Sequence, residues 1–270
     1  MKTGLDILAE LVEAKRARLA EAKRNVSLEA LRAVAEETRS RATSHAFVNA
    51  LRNDGRINVI AEIKRASPSK GDLRLRGTAG EVARAYERGG AAAVSVLTEE
   101  DYFHGSLEDL RAVRSAVSLP VLRKDFVFEE YQVYEAAAAG AGALLLIVAL
   151  LDDETLARLR SLTEVDLGMD ALVEVHTREE MARASASGAN MIGVNNRNLH
   201  TFEVSIDVSM ELAVKAPSGV LLVSESGLRH GSQLKQLGQA GYHGFLIGES
   251  LIGTESPEDS LRAIIEDAEI

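Results

Sequence analysis

ALLLIVALLDDETLARLRSLTEVDLGMDALVEV, residues 143–175, decides the fold. An apolar run of strand length, ALLLIVA (143–149), passes through a polar turn into a helical pattern, DETLARLRSLTE (153–164), and then into a second apolar run, DALVEV (170–175). That is one strand–helix–strand unit of the kind that builds parallel sheets. Ala136 to Leu151 is the longest mainly small and apolar stretch, about 16 residues, with two glycines inside and Glu135 and Asp152 at its ends. A membrane span needs about 20 residues, so this stretch reads as the end of a helix and then a buried strand.

The same unit repeats on both sides. Apolar runs VIAEIK (59–64), AAVSVLT (92–98), VLRKDF (121–126), MIGVNN (191–196), VLLVSES (220–226) and GFLIGES (244–250) bring the strands to eight. Their starts recur at intervals of about 20 to 33 residues, with helical patterns between them such as EVARAYERGG (81–90) and TREEMARASASG (177–188). GGA, AGAGA and QAGYHG close three of these helices, where glycine provides the left-handed cap that returns the chain to the next strand. Eight consecutive units without a Pro/Ser-rich linker predict a closed (β/α)8 TIM barrel. An open doubly wound sheet is the rival, and it lacks a GxGxxG or GxxxxGK[ST] after the first strand. Residues 4–52 read as helix, which predicts an N-terminal helical extension over 1–52 and a single barrel domain over 53–270. The part from about 4 to 45 is expected over the mouth or flank of the barrel.

Composition excludes several classes of function. The 270 residues are 46% apolar and 27% charged, with no Cys and a net charge of -10. Thiolate nucleophiles, iron–sulfur clusters and Cys-based zinc sites are therefore absent. His45, His104, His176, His200, His230 and His243 lie far apart without HxH or HExxH spacing, so no metal site is expected. The acidic balance argues against nucleic acid as a partner. Acids in MKTGLDILAELVEAKRARL stand where a signal peptide needs an apolar core, so no membrane partner and a cytoplasmic location are expected.

In a barrel of this kind chemistry sits at the carboxyl ends of the strands, and side chains alternate along each strand. Ile60, Glu62 and Lys64 share one face, as do Leu122, Lys124 and Phe126. Glu174, Asn195 and Glu225 close the fifth, sixth and seventh strands in phase with apolar neighbours. Five strands thus aim ionisable or amide groups at one rim. A charged residue at a strand end is ordinarily just solvated, and Glu62 with Lys64 could be a plain internal ion pair; agreement in phase across five strands favours a site. Two lysines in one pocket are expected to lower the pKa of at least one of them. SPSKG (67–71), SESG (224–227) and IGES (247–250) add small residues after strands one, seven and eight, where barrels commonly bind phosphate through backbone N–H groups; each alone is also an ordinary tight turn.

VIAEIKRASPSKGDL (59–73), VLTEEDYFHGS (96–106), LRKDFVFEEYQVYEA (122–136), LVEVHT (172–177), IGVNNRNLHTFEV (192–204), VSESGL (223–228) and FLIGESL (245–251) together resemble the indole-3-glycerol-phosphate synthase family of tryptophan biosynthesis. The resemblance covers almost the whole barrel in order. It implies an enzyme, a carboxy-lyase that closes the ring of 1-(2-carboxyphenylamino)-1-deoxyribulose 5-phosphate, with loss of CO2 and water, to give indole-3-glycerol phosphate. No cofactor or metal is implied, and the partner is a small-molecule phosphosugar; association with other tryptophan-pathway enzymes is left open. Carried over, Lys124 resembles the general acid of ring closure, Lys64 the lysine that meets the anthranilate carboxylate, and Glu174 the carboxylate that manages protons in dehydration. Glu62, Asn195 and Glu225 resemble orienting residues, and Arg197 a support for the carboxylate or the lid. Ser67, Ser226, Gly227 and Gly248 correspond to phosphate-binding positions; Phe103, Phe126, Leu199 and Leu246 to apolar walls, although each could equally be barrel packing. Glu249 departs from the family, where many members carry Ser, so its side chain has to turn away from the anion. The alternatives are another phosphosugar barrel, such as phosphoribosylanthranilate isomerase, whose Cys–Asp pair is lacking here, and a non-catalytic sugar-phosphate sensor.

Overall fold

The computed structural model describes residues 4–53, 55–67, 71–73, 75–198, 201 and 203–269. Eight parallel strands close into a barrel: β1 (Val59–Ile63), β2 (Ala93–Leu97), β3 (Val121–Lys124), β4 (Ala143–Ile147), β5 (Asp170–Val175), β6 (Met191–Asn195), β7 (Leu221–Glu225) and β8 (Gly244–Ile247). Each strand pairs with its neighbour in sequence, and β8 returns to β1 with Leu246 opposite Ile60. The apolar runs therefore mark all eight strands, but several strands stop one to three residues short of the run. ALLLIVA, for example, leaves the sheet at Ile147 and turns through a short 3-10 segment, Val148–Leu150. Those last residues are the start of the catalytic-face loops.

Alternation divides the strand side chains into two cores. Ile60, Ala93, Leu122, Ala143, Leu145, Leu172, Met191, Leu221, Val223 and Leu246 fill the barrel interior. The opposite phase, with Val59, Ala61, Val94, Val121, Leu144, Val173, Ile192 and Phe245, packs outward against the helices. Those helices are α4 (Ala79–Arg88), α5 (Leu107–Ala116), α6 (Glu130–Ala138), α7 (Asp153–Ser161), α8 (Arg178–Ala186), α9 (Asp207–Ala213), α10 (Gly231–Gln239) and α11 (Pro257–Glu269). Polar residues fix where several begin: Thr78 and Glu81 form a reciprocal capping box on α4, while Asp152 and Thr177 accept from Thr155 N–H and Glu180 N–H.

The N-terminal stretch is three helices rather than one: α1 (Gly4–Asn25), α2 (Leu28–Ser40) and α3 (Ala46–Leu51). Ser27 breaks the first from the second by accepting from Ala30 N–H, which makes it an N-cap. His45 adopts a left-handed conformation, φ 53°, immediately before α3. These helices run from one end of the barrel to the other. Lys15 of α1 pairs with Asp125 just beyond β3 and Glu100 beyond β2, and Arg18 pairs with Asp101, so α1 flanks the catalytic face. α2 lies along α6, and Arg39 near its end donates to the carbonyls of Leu167, Ala141 and Gly168, ahead of β4 and β5. Phe47, Val48 and Leu51 of α3 join the interior cluster and close the amino-terminal end of the barrel. Asp170, the first residue of β5, accepts from Val48 N–H at 3.0 Å and so holds the start of that helix.

Candidate active site

The strand-end groups converge as their phase predicts. Glu62 is buried at the inner face of β1, with Oε1 2.8 Å from Lys64 Nζ. Lys124, the last residue of β3, stands between two further carboxylates, with its Nζ 3.0 Å from Glu174 Oε2 and 3.0 Å from Glu225 Oε2. Asn195 Nδ2 donates to Glu174 Oε1 at 3.2 Å, while Asn195 Oδ1 accepts from Arg197 N–H at 3.0 Å. Two glycines make room for this arrangement. A Cβ on Gly193 would lie 2.1 Å from Glu225 Oε1, and one on Gly248 would lie 2.6 Å from Glu62 Oε1. The carboxylates thus occupy the space that side chains from β6 and the end of β8 would otherwise take.

Charge in this buried layer sets the protonation states. Burial opposes the charge on Lys124, but Glu174, Glu225 and Glu62 together outweigh it and hold the ammonium well above the usual lysine range. For Lys124 the expectation that a second lysine in the pocket lowers it is therefore corrected: two carboxylates at 3.0 Å dominate. Burial also works against Glu174, yet Lys124, His176 and Asn195 keep it ionised far below the ordinary carboxylate range. Glu225 goes the other way. Its burial and the neighbouring Glu174 exceed the attraction of Lys124 and push it up to about 7. Apart from Lys124, neither of its buried oxygens has a hydrogen-bond partner among the described residues. Two carboxylates flanking one lysine are thereby set apart, one a fixed anion and the other able to gain or lose a proton near neutrality.

Phe103 and Phe126 come together beside this layer, ring centroids 6.3 Å apart. Phe126 lies just past β3, packed against the interior cluster, and Leu246 sits in that cluster itself. Ser67 lies in a two-residue hairpin, Ala66–Ser67 with Gly71–Asp72, whose Ala66 N–H donates to Phe103 O. Across β8 from β1, Ser226 and Gly227 leave β7 in two successive left-handed steps, φ 68° and 79°. The unfavourable conformation of Ser226 is held by Asn196, whose side chain donates to Ser226 O at 3.1 Å. Gly248 follows β8, the strand beside β7. The Glu249 side chain meets Arg229 at 2.6 Å and approaches Arg197 at 3.9 Å. Leu199 and residues 68–70 of the SPSKG motif lie outside the described residues.

One residue at the site has no role in the sequence reading. His176 Nε2 lies 3.3 Å from Glu174 Oε1 and Nδ1 lies 3.1 Å from Glu180 Oε2. Its alternation phase, two residues beyond Glu174, was the available signal. No helix of the described residues is long and apolar enough to cross a membrane.

Comparison with known proteins agrees with this geometry. The family model described as indole-3-glycerol phosphate synthase matches residues 8–264. Indole-3-glycerol phosphate synthase of Carboxydothermus hydrogenoformans is 48% identical over 262 residues, 96% of this chain and 99% of the relative. That of Micrococcus luteus is 47% identical, covering 96% of this chain and 97% of the relative. Among solved structures, thiamine phosphate pyrophosphorylase from Pyrococcus furiosus superposes with a TM-score of 0.60 at 17% identity, over 81% of this chain and 98% of that one. At that identity the likeness concerns the barrel alone.

Proposed function

The chain belongs to the indole-3-glycerol phosphate synthase family, and from that premise we propose how its residues divide the reaction. The enzyme is a carboxy-lyase that acts on a phosphosugar: it closes the ring of 1-(2-carboxyphenylamino)-1-deoxyribulose 5-phosphate and releases CO2 and water. Lys124 is the general acid of ring closure. It is charged throughout the working pH range, so its proton is always available, and the alkoxide developing on the ketose oxygen is basic enough to take it. The observation that carries this assignment is the placement of Lys124 Nζ 3.0 Å from both Glu174 and Glu225 at the mouth of the barrel.

Lys64, held by Glu62, meets the anthranilate carboxylate, with Arg197 supporting it. Glu174 stabilises positive charge and manages protons as the hydroxyl leaves. Glu225, whose Oε2 pairs with Lys124, orients a substrate hydroxyl, and Asn195 fixes Glu174. The aromatic ring lies against Phe103 and Phe126, with Leu246 completing the apolar wall. Ser67, Ser226, Gly227 and Gly248 bind the phosphate. A protein of net charge -10 repels an anion at long range, so attraction has to come from these local cations and N–H groups.

The test is direct. Because the chain has no Trp, indole fluorescence on adding the substrate rises from a clean background. A sensor would bind the compound and leave the fluorescence flat, which would overturn the assignment.

A further inference from the structure

His176 is clamped between two carboxylates from different elements. Glu174 comes from β5 and faces Nε2; Glu180 comes from the first turn of α8 and faces Nδ1. Glu180 Oε2 also accepts from the backbone N–H of His176 at 2.7 Å, and Glu180 N–H donates to Thr177 Oγ1 at 3.2 Å, so the outer carboxylate is itself fixed. The His176 side chain is 9% exposed. A neutral imidazole has one donor and one lone pair, and in this setting the lone pair would face a carboxylate. Only the imidazolium turns an N–H to both carboxylates: Nδ1 hydrogen-bonds Glu180, while Nε2 stands at ion-pair distance from Glu174 without an aligned hydrogen bond.

We propose that His176 is a positioning residue for Glu174: an imidazolium anchored by Glu180 that engages Glu174 Oε1 and thereby leaves Oε2 turned to Lys124. The inference rests on the dehydration role given above to Glu174. Other groups around the pair are Lys124 of β3 at Oε2, Asn195 of β6 at Oε1, and Glu225 of β7 on the far side of Lys124. Burial disfavours charge on His176, but Glu174 and Glu180 outweigh it and raise the group to about 9. The imidazolium is therefore present below about pH 9 and is lost above it. Once it is lost, Glu174 faces a neutral ring, and Lys124 alone has to balance Glu174 and Glu225. Because His176 acts through Glu174, its loss should fall on kcat and leave KM nearly unchanged.

The experiment measures kcat and KM from about pH 6 to about pH 10 for the full chain and for His176→Gln, Glu180→Gln and Glu174→Gln, with Tm as a check on folding. The parent should lose kcat with an alkaline limb near pH 9. His176→Gln, which keeps a neutral donor toward Glu174, should lose about tenfold in kcat at neutral pH, lack that limb, and keep KM within about twofold. Glu180→Gln keeps an acceptor for His176 N–H but removes one of the two anions, so its limb should move to lower pH. The proposal is overturned if the His176→Gln profile superimposes on the parent's or if the Glu180→Gln limb stays in place. Should His176→Gln fail to fold, the Glu180→Gln limb decides alone. Parent-like kcat in Glu174→Gln would remove the role of Glu174 and this inference together; an impaired Glu174→Gln beside an unaltered His176→Gln would remove the inference only.

Discussion

At the scale of single residues the two lysines separate by what surrounds them. Lys124 touches two carboxylates from β5 and β7, whereas Lys64, just past β1, is paired with Glu62 two residues before it. Lys124→Ala should therefore lower kcat by about 10²- to 10⁴-fold with little change in KM, and Lys64→Ala should raise KM chiefly; steady-state kinetics on both variants distinguish the roles. In Lys124→Ala, Glu225 loses its paired cation in a buried layer and should take up a proton rather than stay charged, while Glu174 keeps His176 and Asn195. Gly193→Ala tests the space on which the arrangement depends. Its Cβ would fall 2.1 Å from Glu225 Oε1 and 3.1 Å from Leu172 Cδ1, so the carboxylate has to leave Lys124. The expected result is a fold preserved by circular dichroism and a kcat lower by at least about tenfold. Glu62, Lys64, Lys124, Glu174, Asn195 and Glu225 were legible in the sequence because alternation along a strand fixes which side chains point inward. His176 was not, because its importance depends on how its ring sits between Glu174 and Glu180, a side-chain geometry that spacing does not give.

At the scale of elements, α1 is fastened to the loops that carry Phe103 and Phe126. Lys15 is nearly buried and contacts Asp125, whose own side chain is fully covered and also bonds Arg123 and Thr98. Burial works against the Asp125 charge, but Lys15 and Arg123 outweigh it and hold the carboxyl down to about 2 from an ordinary 3.8. A carboxyl with a depressed folded-state pKa contributes stability that is complete above its unfolded value and is lost as pH falls through the folded one. That contribution should therefore fade between pH 3.8 and about 2. Lys15→Met removes the first of the two cations, and its acid-unfolding midpoint, followed by circular dichroism, should move to higher pH. Tm at neutral pH should fall as well, by a few degrees for each kcal/mol lost. Removing α1 alone should raise KM by loosening the loops beyond β2 and β3 while the barrel remains folded. The helical periodicity of residues 4–52 was readable, but the two breaks were not, because Ser27 acts as a cap through its own chain direction and α3 starts where Asp170 from a distant strand accepts Val48 N–H.

At the scale of the whole molecule, the two ends of the barrel do different work. The amino-terminal end is closed by Phe47 and Leu51, both with no exposed surface, and carries stability; the carboxyl end carries the charged layer. Phe47→Ala should cost about 3–5 kcal/mol, visible as a Tm lower by on the order of 10 °C, with kcat/KM unchanged well below that temperature. A variant that lost activity in proportion to stability would show the two ends to be coupled. Eight apolar runs at the spacing of strand–helix units were enough to determine a barrel, since period-two and period-3.6 patterns are local properties of the chain. The inward phase of the rim residues and the exclusion of thiol chemistry followed from the same string of letters. Tertiary structure alone decided which charges meet. The pairing of Lys124 with Glu174 and Glu225 and the opposite displacement of those two carboxyls join residues far apart in the chain. Their energies depend on distance and burial, and neither quantity exists until the barrel has closed.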